Sequence, residues 1–163
     1  AAVLPDCGLA VEVTDSRPPD HPIPFPASKK ASLTLPELIQ AVAAVNREPG
    51  SPISLIVNWG RLLINGDEPL AGIEQILASE VGLAGVLLSG AGASPDGFMD
   101  SHNSHLDPAS GFTATDFASC AAVLKSSPDP AFIGMKCSTA RGDEKLPVEA
   151  VLQAQAELLN QEG

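Results

Sequence analysis

The chain contains four short apolar runs, and each ends in a polar residue before a loop and a helix-patterned segment follow. The runs cover residues 8–13, 53–58, 83–89 and 132–137. Apolar strands that alternate with amphipathic helices are typical of a parallel sheet covered by helices. Because chemistry collects at the carboxyl ends of parallel strands, the polar residues there mark the expected working face. These residues are Glu12, Asn58, Ser89 and Lys136.

Helix-start signals precede three of the helical segments, and a last helix is expected after the fourth strand. Two segments have the spacing of a capping pair, and one has a single good N-cap. The residues that carry these signals are Thr34 with Glu37, Asp67, and Thr113 with Asp116. The chain therefore reads as four β/α units in succession.

The longest predicted loop covers residues 90–112 and holds four glycines, two histidines and three aspartates. Its start, after Ser89 and Gly90, is rich in small residues. Small residues let backbone N–H groups approach an anion, so Ser89 and Gly90 are candidate ligand-binding residues. A glycine-rich turn without a ligand is the alternative.

Four parallel β/α units can close in two ways: as a small open α/β sheet or as half of a (β/α)₈ TIM barrel. The four units are longer than a minimal β/α unit, and the extra residues lie mainly in the loops that follow the strands. In a barrel these loops are on the catalytic side. This distribution favours the half barrel. We therefore predict one α/β domain over residues 1–163, either complete in itself or a fragment of a longer chain.

Composition narrows the classes of partner. The formal net charge is −11 and the pI is about 4.4, so nucleic acid and anionic membrane surfaces are disfavoured as partners. No apolar run is long enough for a membrane span, and no signal peptide is visible, so a cytoplasmic location is expected. The three cysteines have no CxxC spacing, which disfavours a disulfide framework or zinc knuckle.

Several short motifs lie at or near the strand ends in a fixed order. They are Val57-Asn58-Trp59-Gly60-Arg61, Gly85-Val86-Leu87-Leu88-Ser89-Gly90, Asp100-Ser101-His102, Phe132-Ile133-Gly134-Met135-Lys136 and Leu146-Pro147-Val148-Glu149. Together they resemble the carboxyl-terminal half of a sugar-isomerase-like family of xylose-isomerase-like TIM barrels. The resemblance covers nearly all of this chain and about half of such a barrel. It implies a sugar or sugar-phosphate ligand.

The chain departs from that family in its expected metal ligands. At the first strand the family has Glu-His-Cys-Asp, whereas this chain keeps only Glu12 and Asp15 of that pattern. The wider isomerase and epimerase superfamily binds a divalent metal through Glu, Asp, His and Glu from its last four strands. By position, only Glu12 matches such a ligand here, with Asp15 and His102 able to rebuild a weaker site. We therefore expect no tightly bound metal and no cofactor.

Glu12, Lys136 and His102 are the candidate catalytic residues. Glu12 interrupts an apolar strand, where it is either a general base or the partner of a structural ion pair with Lys136. Lys136 could transfer protons or form a Schiff base, or could simply balance the charge of Glu12. His102 could transfer protons or bind metal. His105 is expected to be solvated.

The remaining candidates would bind substrate. Asn58 can bond a hydroxyl group, and Arg61 can clamp an anion or be a surface residue. Trp59 can stack on a sugar face or pack in the core. Asp100 shares the long loop with His102.

Two functions follow from these residues. The first is a sugar or sugar-phosphate isomerase or epimerase that transfers a proton next to a carbonyl group. The second is a non-catalytic, degenerate half barrel that binds a small ligand or a protein partner. In both cases the open strand edges of a half barrel predict self-association or pairing with an amino-terminal half.

Overall fold

A computed structural model of the chain describes residues 8–14, 33–50, 52–95, 97–129, 131–137 and 147–161. This part of the chain forms six strands and five helices. In chain order they are β1 Leu9–Glu12, α1 Leu35–Asn46, β2 Ile53–Asn58, α2 Trp59–Asn65, α3 Pro69–Leu77, β3 Leu83–Leu88, β4 Gly90–Ser94, β5 Gly97–Asn103, α4 Ala114–Ser126, β6 Phe132–Met135 and α5 Val148–Gln161. Among the described residues no helix is both long and apolar enough to cross a membrane.

The main sheet has four strands in the order β1-β2-β3-β6, and each neighbouring pair is parallel. The four strands predicted from the apolar runs are therefore confirmed, and so is the α/β class. Each strand is followed by helix before the next strand of this sheet begins. The carboxyl ends of the four strands consequently meet at one edge.

One side of the sheet forms the hydrophobic core. Val57 of β2 and Val86 of β3 are neighbours in the ladder, and both are fully buried. Apolar side chains of α1, α3, α4 and α5 join the same cluster, including Ile39, Ile73 and Phe117. Burying each large apolar side chain of this kind stabilises the fold by roughly 1.5–3 kcal/mol.

The other side of the sheet carries the polar strand ends. Side chains alternate between faces along a strand, so Ile56 and Asn58 share the face opposite Val57. In the ladder, Glu12 lies beside Ile56, and Asn58 lies beside Leu87. Ser89 follows Leu87 by two positions, and Lys136 follows Gly134, the partner of Leu87, by two positions. The four predicted residues therefore share one face and one edge.

The capping signals are confirmed for two helices and shifted by one residue for a third. Glu68, rather than the predicted Asp67, caps α3, because its carboxylate accepts hydrogen bonds from the Leu70 and Ala71 N–H groups. Pro69 explains the shift: its fixed φ suits the first helical position, so the preceding residue becomes the N-cap.

Two elements were not predicted. The first is α2, which begins directly after β2 and ends at Gly66, whose φ of 82° is in the left-handed region. The second is an antiparallel hairpin of β4 and β5 inside residues 90–112, which were predicted to form a loop. Its strands are rich in glycine and polar residues, so they lack the β-branched apolar pattern by which strands are recognised.

Candidate functional site

The four polar strand ends form one connected hydrogen-bonded network. The Glu12 carboxylate oxygen Oε1 accepts a hydrogen bond from Asn58 Nδ2 at 2.9 Å and from Lys136 Nζ at 3.0 Å. Ser89 Oγ donates to Asn58 Oδ1 at 2.8 Å. The structure thus brings together all four residues that the sequence placed at strand ends.

The ion pair between Glu12 and Lys136 joins the two edges of the sheet. β1 and β6 are separated by β2 and β3, which corresponds to about 14 Å in a flat sheet with ordinary strand spacing. The side chains of Glu12 and Lys136 bridge that span with a contact of 3.0 Å. The network therefore extends across the whole width of the main sheet.

Burial divides the network into two hidden and two accessible groups. Asn58 and Ser89 are 0% exposed, whereas the side chains of Glu12 and Lys136 are 34% and 38% exposed. The sequence predicted that Asn58 and Ser89 contact a ligand directly. In the structure the fold covers the side-chain atoms that would make this contact. In this structure their role is to orient Glu12, and Glu12 and Lys136 are the groups that face solvent.

Glu12 is held in its ionised form. Burial by itself raises the pKa of a carboxyl group, but the hydrogen bonds from Asn58 and Lys136 and the charges of Lys136 and Arg61 outweigh it. The net effect lowers the pKa of Glu12 below its ordinary value of 4.5. At neutral pH this edge therefore presents a carboxylate beside an ammonium group.

A second cluster lies next to the first. Asp100 of β5 contacts Arg61 Nη2 through Oδ2 at 3.3 Å and His102 Nε2 through Oδ1 at 3.2 Å. Arg61 is buried, so the alternative that it is a surface residue is wrong. Its charge contributes to the lowered pKa of Glu12, which places the two clusters within electrostatic range of each other.

Trp59 belongs to the core rather than to the ligand-facing surface. It is 2% exposed, its ring meets Phe112 edge to face, and its indole N–H donates to the Gly111 carbonyl oxygen at 3.2 Å. Stacking on a sugar would require an exposed ring face. Of the two alternatives that the sequence left open, core packing is the one that the structure shows.

Gly90 is a packing position in β4 rather than part of an open anion-binding turn. A Cβ atom there would lie 1.8 Å from Ser110 Oγ and 2.8 Å from the carbonyl oxygen of Asn103. The residue is buried, and the antiparallel ladder pairs it with Asn103. The glycine-rich sequence therefore serves close packing between β4 and its neighbours.

His105 was expected to be solvated, and the structure leaves it partly exposed with one ring nitrogen buried. Its ring lies edge-on to Phe112, and its Nδ1 atom is buried without a hydrogen bond to the described residues. Burial lowers the pKa of His105, so the ring is neutral at pH 7. No sequence signal reports this burial, because Phe112 is brought to it by the turn at residues 104–111.

The described side chains contain neither a metal-ligand cluster nor a reactive thiol. Over those residues, no group of three or more His, Cys, Asp or Glu side chains is arranged to hold a metal ion. Asp15, proposed as an additional ligand, and Cys7 lie outside the described residues. Burial raises the pKa of Cys120 to about 12 and of Cys137 to about 11, so both remain thiols.

Two residues that support the site were not singled out by the sequence. Asn65, at the end of α2, is buried and donates to the Thr14 carbonyl oxygen at 3.2 Å, which ties α2 to the segment after β1. Gly60 lets α2 pack against the end of β3, because a Cβ atom there would lie 2.9 Å from Ser89 Oγ. A glycine within the Asn-Trp-Gly-Arg motif was the one available signal.

Comparison with known proteins identifies a family but no activity. The model of a family described as a domain of unknown function, DUF4862, matches residues 4–151. No curated protein and no solved structure matches the chain significantly. The chemistry of the site must therefore be argued from its own residues.

Proposed function

The chain belongs to the DUF4862 family, and on that premise we propose that it acts on a sugar or sugar phosphate by moving a proton next to the carbonyl group. The reaction class is that of an isomerase or epimerase. The observation that carries the proposal is the Glu12–Lys136 pair, a carboxylate and an ammonium group 3.0 Å apart and each partly exposed. Such a pair supplies a base and an electrophile within reach of one ligand.

The proposed chemistry divides between these two side chains. Glu12 accepts the proton from the carbon next to the carbonyl, and the electrons of that C–H bond form an enediolate. Lys136 donates a hydrogen bond to the carbonyl oxygen, where negative charge develops. Return of the proton to the neighbouring carbon completes an isomerisation, and return to the opposite face of the same carbon completes an epimerisation.

The half barrel is part of the same proposal. The parallel order β1-β2-β3-β6 and the meeting of the polar strand ends at one edge support it. The resemblance of the strand-end motifs to xylose-isomerase-like barrels supports it as well. In a barrel, the concave face of the sheet lies inside and the carboxyl ends of the strands form the active-site rim.

Hydrogen exchange tests the reaction across a panel of candidate sugars. The purified protein is incubated in D₂O with pentoses, hexoses and their monophosphates, and NMR follows loss of the proton on the carbon next to the carbonyl. We expect exchange with at least one compound, and a loss of about 100-fold or more in Glu12→Gln and Lys136→Met. Lys125→Met, an exposed lysine on α4, is the matched control. Equal exchange in all four proteins, or in none, would contradict the proposal.

A non-catalytic ligand-binding module is the second candidate. The observation that favours it is the saturation of Glu12 Oε1 by Asn58 and Lys136, together with its lowered pKa, since both make the carboxylate a weaker base. Thermal-shift measurements with the same sugars separate the two functions, because a ligand of the native state raises the melting temperature. A shift without hydrogen exchange would favour the binding module.

A further inference from the structure

The hairpin beside the site contains a bulge that coincides with the Asp100-Ser101-His102 motif. In the antiparallel ladder, Gly92 pairs with Met99, and the next pair joins Gly90 to Asn103. Between these pairs a single residue of β4 faces three residues of β5. The three residues are Asp100, Ser101 and His102. Bulges of this kind redirect side chains and are common beside active sites.

His102 adopts a backbone conformation that is unfavourable for a residue with a side chain. Its φ is 52°, and in the described part of the chain it is the one residue other than glycine with a positive φ. Such a conformation persists only when its surroundings enforce it, and it is frequently found at functional sites.

The glycines of β4 make room for the bulge. A Cβ atom on Gly92 would lie 3.0 Å from Ser101 Oγ and 3.5 Å from Ser101 Cβ. A Cβ atom on Gly90 would lie 2.8 Å from the carbonyl oxygen of Asn103, the residue that closes the bulge. The Gly-Ala-Gly sequence and the Asp-Ser-His sequence therefore form one structural unit.

Asp100 is held at both of its carboxylate oxygens. Arg61, fixed in α2 with 10% of its side chain exposed, contacts one oxygen, and His102 contacts the other. α2 starts at the end of β2, directly after Asn58, so Arg61 ties the Asp100–His102 pair to the helix that leaves this strand end. The side chain of His102 is 22% exposed, which leaves part of the ring open to a ligand.

We propose that this bulge places His102 as a second proton-transfer group of the site and that Asp100 is its positioning residue. The proposal rests on the proposed function: while Glu12 moves the carbon-bound proton, His102 takes the proton of the neighbouring hydroxyl and returns it to the former carbonyl oxygen. His102 thus ends each turnover in its starting protonation state. Asp100, anchored by Arg61, holds the ring in the orientation that this transfer requires.

A pair of substitutions tests the strained bulge without any substrate. At an ordinary strand position, glycine is less stable than alanine. At a φ of 52° the order reverses, so His102→Gly should melt about 2–8 °C above His102→Ala. The control is the same pair at Met99, an exposed position of β5, where alanine should melt higher. If alanine is also the more stable residue at position 102, the strained geometry is wrong.

Asp100→Asn tests the positioning role. In the NMR spectrum of the ¹⁵N-labelled protein, the Nε2 signal of His102 should move in Asp100→Asn and stay in place in Asp129→Asn, an exposed carboxylate far along the chain. In the D₂O exchange assay, Asp100→Asn should lower kcat about tenfold or more with little change in KM, and Asp100→Glu should recover part of the loss.

The outcomes separate this inference from the function on which it rests. If the wild type exchanges no sugar proton, the proton-transfer role of His102 falls with the proposed function, while melting and NMR still decide whether Asp100 positions the ring. If the wild type is active but Asp100→Asn changes neither kcat nor the Nε2 signal, the positioning role is wrong and the proposed function stands.

Discussion

At the scale of single residues, the site depends on a division between hidden and accessible polar groups. Asn58 and Ser89 are enclosed and hydrogen-bonded to their neighbours, so they fix the orientation of Glu12. Glu12 and Lys136 remain partly exposed and oppositely charged. Because both are more than one-third exposed, their ion pair contributes little to stability. Under the proposed function, the pair acts on the ligand instead.

The coupling between Glu12 and Lys136 should depend on pH. Because the folded-state pKa of Glu12 is lowered, the stabilisation is fully present above pH 4.5 and is lost as the pH falls through the lower folded-state value. A double-mutant cycle of Glu12→Gln and Lys136→Met, measured by urea unfolding, should give a coupling of at most about 1 kcal/mol at pH 7. The coupling should decline at acidic pH. A constant coupling energy over this range would argue against the ion pair.

Ser89→Ala should destabilise the protein by about 1–3 kcal/mol, since it leaves the fully buried Oδ1 of Asn58 without its donor. Ser126→Ala is the matched control. Ser126 is exposed on α4, where its hydroxyl donates to the Val123 carbonyl oxygen, and its loss should change stability by no more than about 0.5 kcal/mol. Urea titration measures the free energy of unfolding of both variants. Equal losses would show that the buried hydrogen bond between Ser89 and Asn58 is unimportant.

At the scale of elements, a short helix and a hairpin build the rim of the site. α2 begins where β2 ends, and the β4–β5 hairpin packs on it. This arrangement carries Arg61 of α2 to Asp100 of β5. Gly60 of α2 lies against the start of the hairpin, where a Cβ atom would come within 3.3 Å of the Gly90 carbonyl oxygen.

Gly60→Ala should reverse the usual preference of helices. Alanine normally stabilises a helix relative to glycine by about 1 kcal/mol. At position 60 the new Cβ would lie 2.9 Å from Ser89 Oγ and 3.0 Å from the Ser89 carbonyl oxygen. We expect a destabilisation of about 1–3 kcal/mol from this overpacking. Gly50→Ala, where no atom lies within 4 Å of the new Cβ, should be neutral or slightly stabilising in the same thermal-unfolding assay.

At the scale of the whole molecule, a four-stranded parallel sheet presents one face covered by helices and one face with polar strand ends. The chain has a net charge of −11, and two of its nine Lys and Arg residues, Arg61 and Lys136, lie in the candidate site. Each lies against a carboxylate rather than in a basic patch. A ligand at this site therefore meets paired charges of both signs.

The purified protein should contain no tightly bound divalent metal at the strand ends. In the metal-binding barrels that the motifs resemble, four strand ends supply the ligands. Here the other three strand ends carry Asn58, Ser89 and Lys136, and Glu12 alone cannot hold a divalent ion tightly. Elemental analysis after extensive dialysis gives the metal content. A stoichiometric ion that disappears in Glu12→Gln would contradict this prediction and restore a metal-dependent mechanism.

Self-association is expected because β1 and β6 are the two end strands of the main sheet, and Leu9 and Phe132 on them are 58% and 47% exposed. Strand edges with exposed apolar residues favour contact between chains. Sedimentation velocity over a range of protein concentrations should show association that Leu9→Lys weakens. Val45→Lys, on an equally exposed part of α1, is the control. A monomer at every concentration would contradict the prediction.

The sequence predicted correctly the features that depend on residues close together in the chain. The apolar runs located the strands of the main sheet, and the capping pairs located α1 and α4, because each signal spans only a few residues. It was a poor guide for the hairpin, whose glycines fit closely against Ser101 and Ser110. These contacts join residues that form no recognisable pattern along the chain, so the sequence does not predict them.

By itself the sequence determined the α/β class and the four polar residues at the strand ends, because side-chain alternation and strand polarity follow from backbone geometry. Only the tertiary structure decided what those residues do. Glu12 and Lys136 are 124 positions apart, and their contact exists because β1 and β6 belong to the same four-stranded sheet. The same folding buried Asn58, Ser89 and Trp59. Burial depends on packing between distant segments, so no local pattern could have reported it.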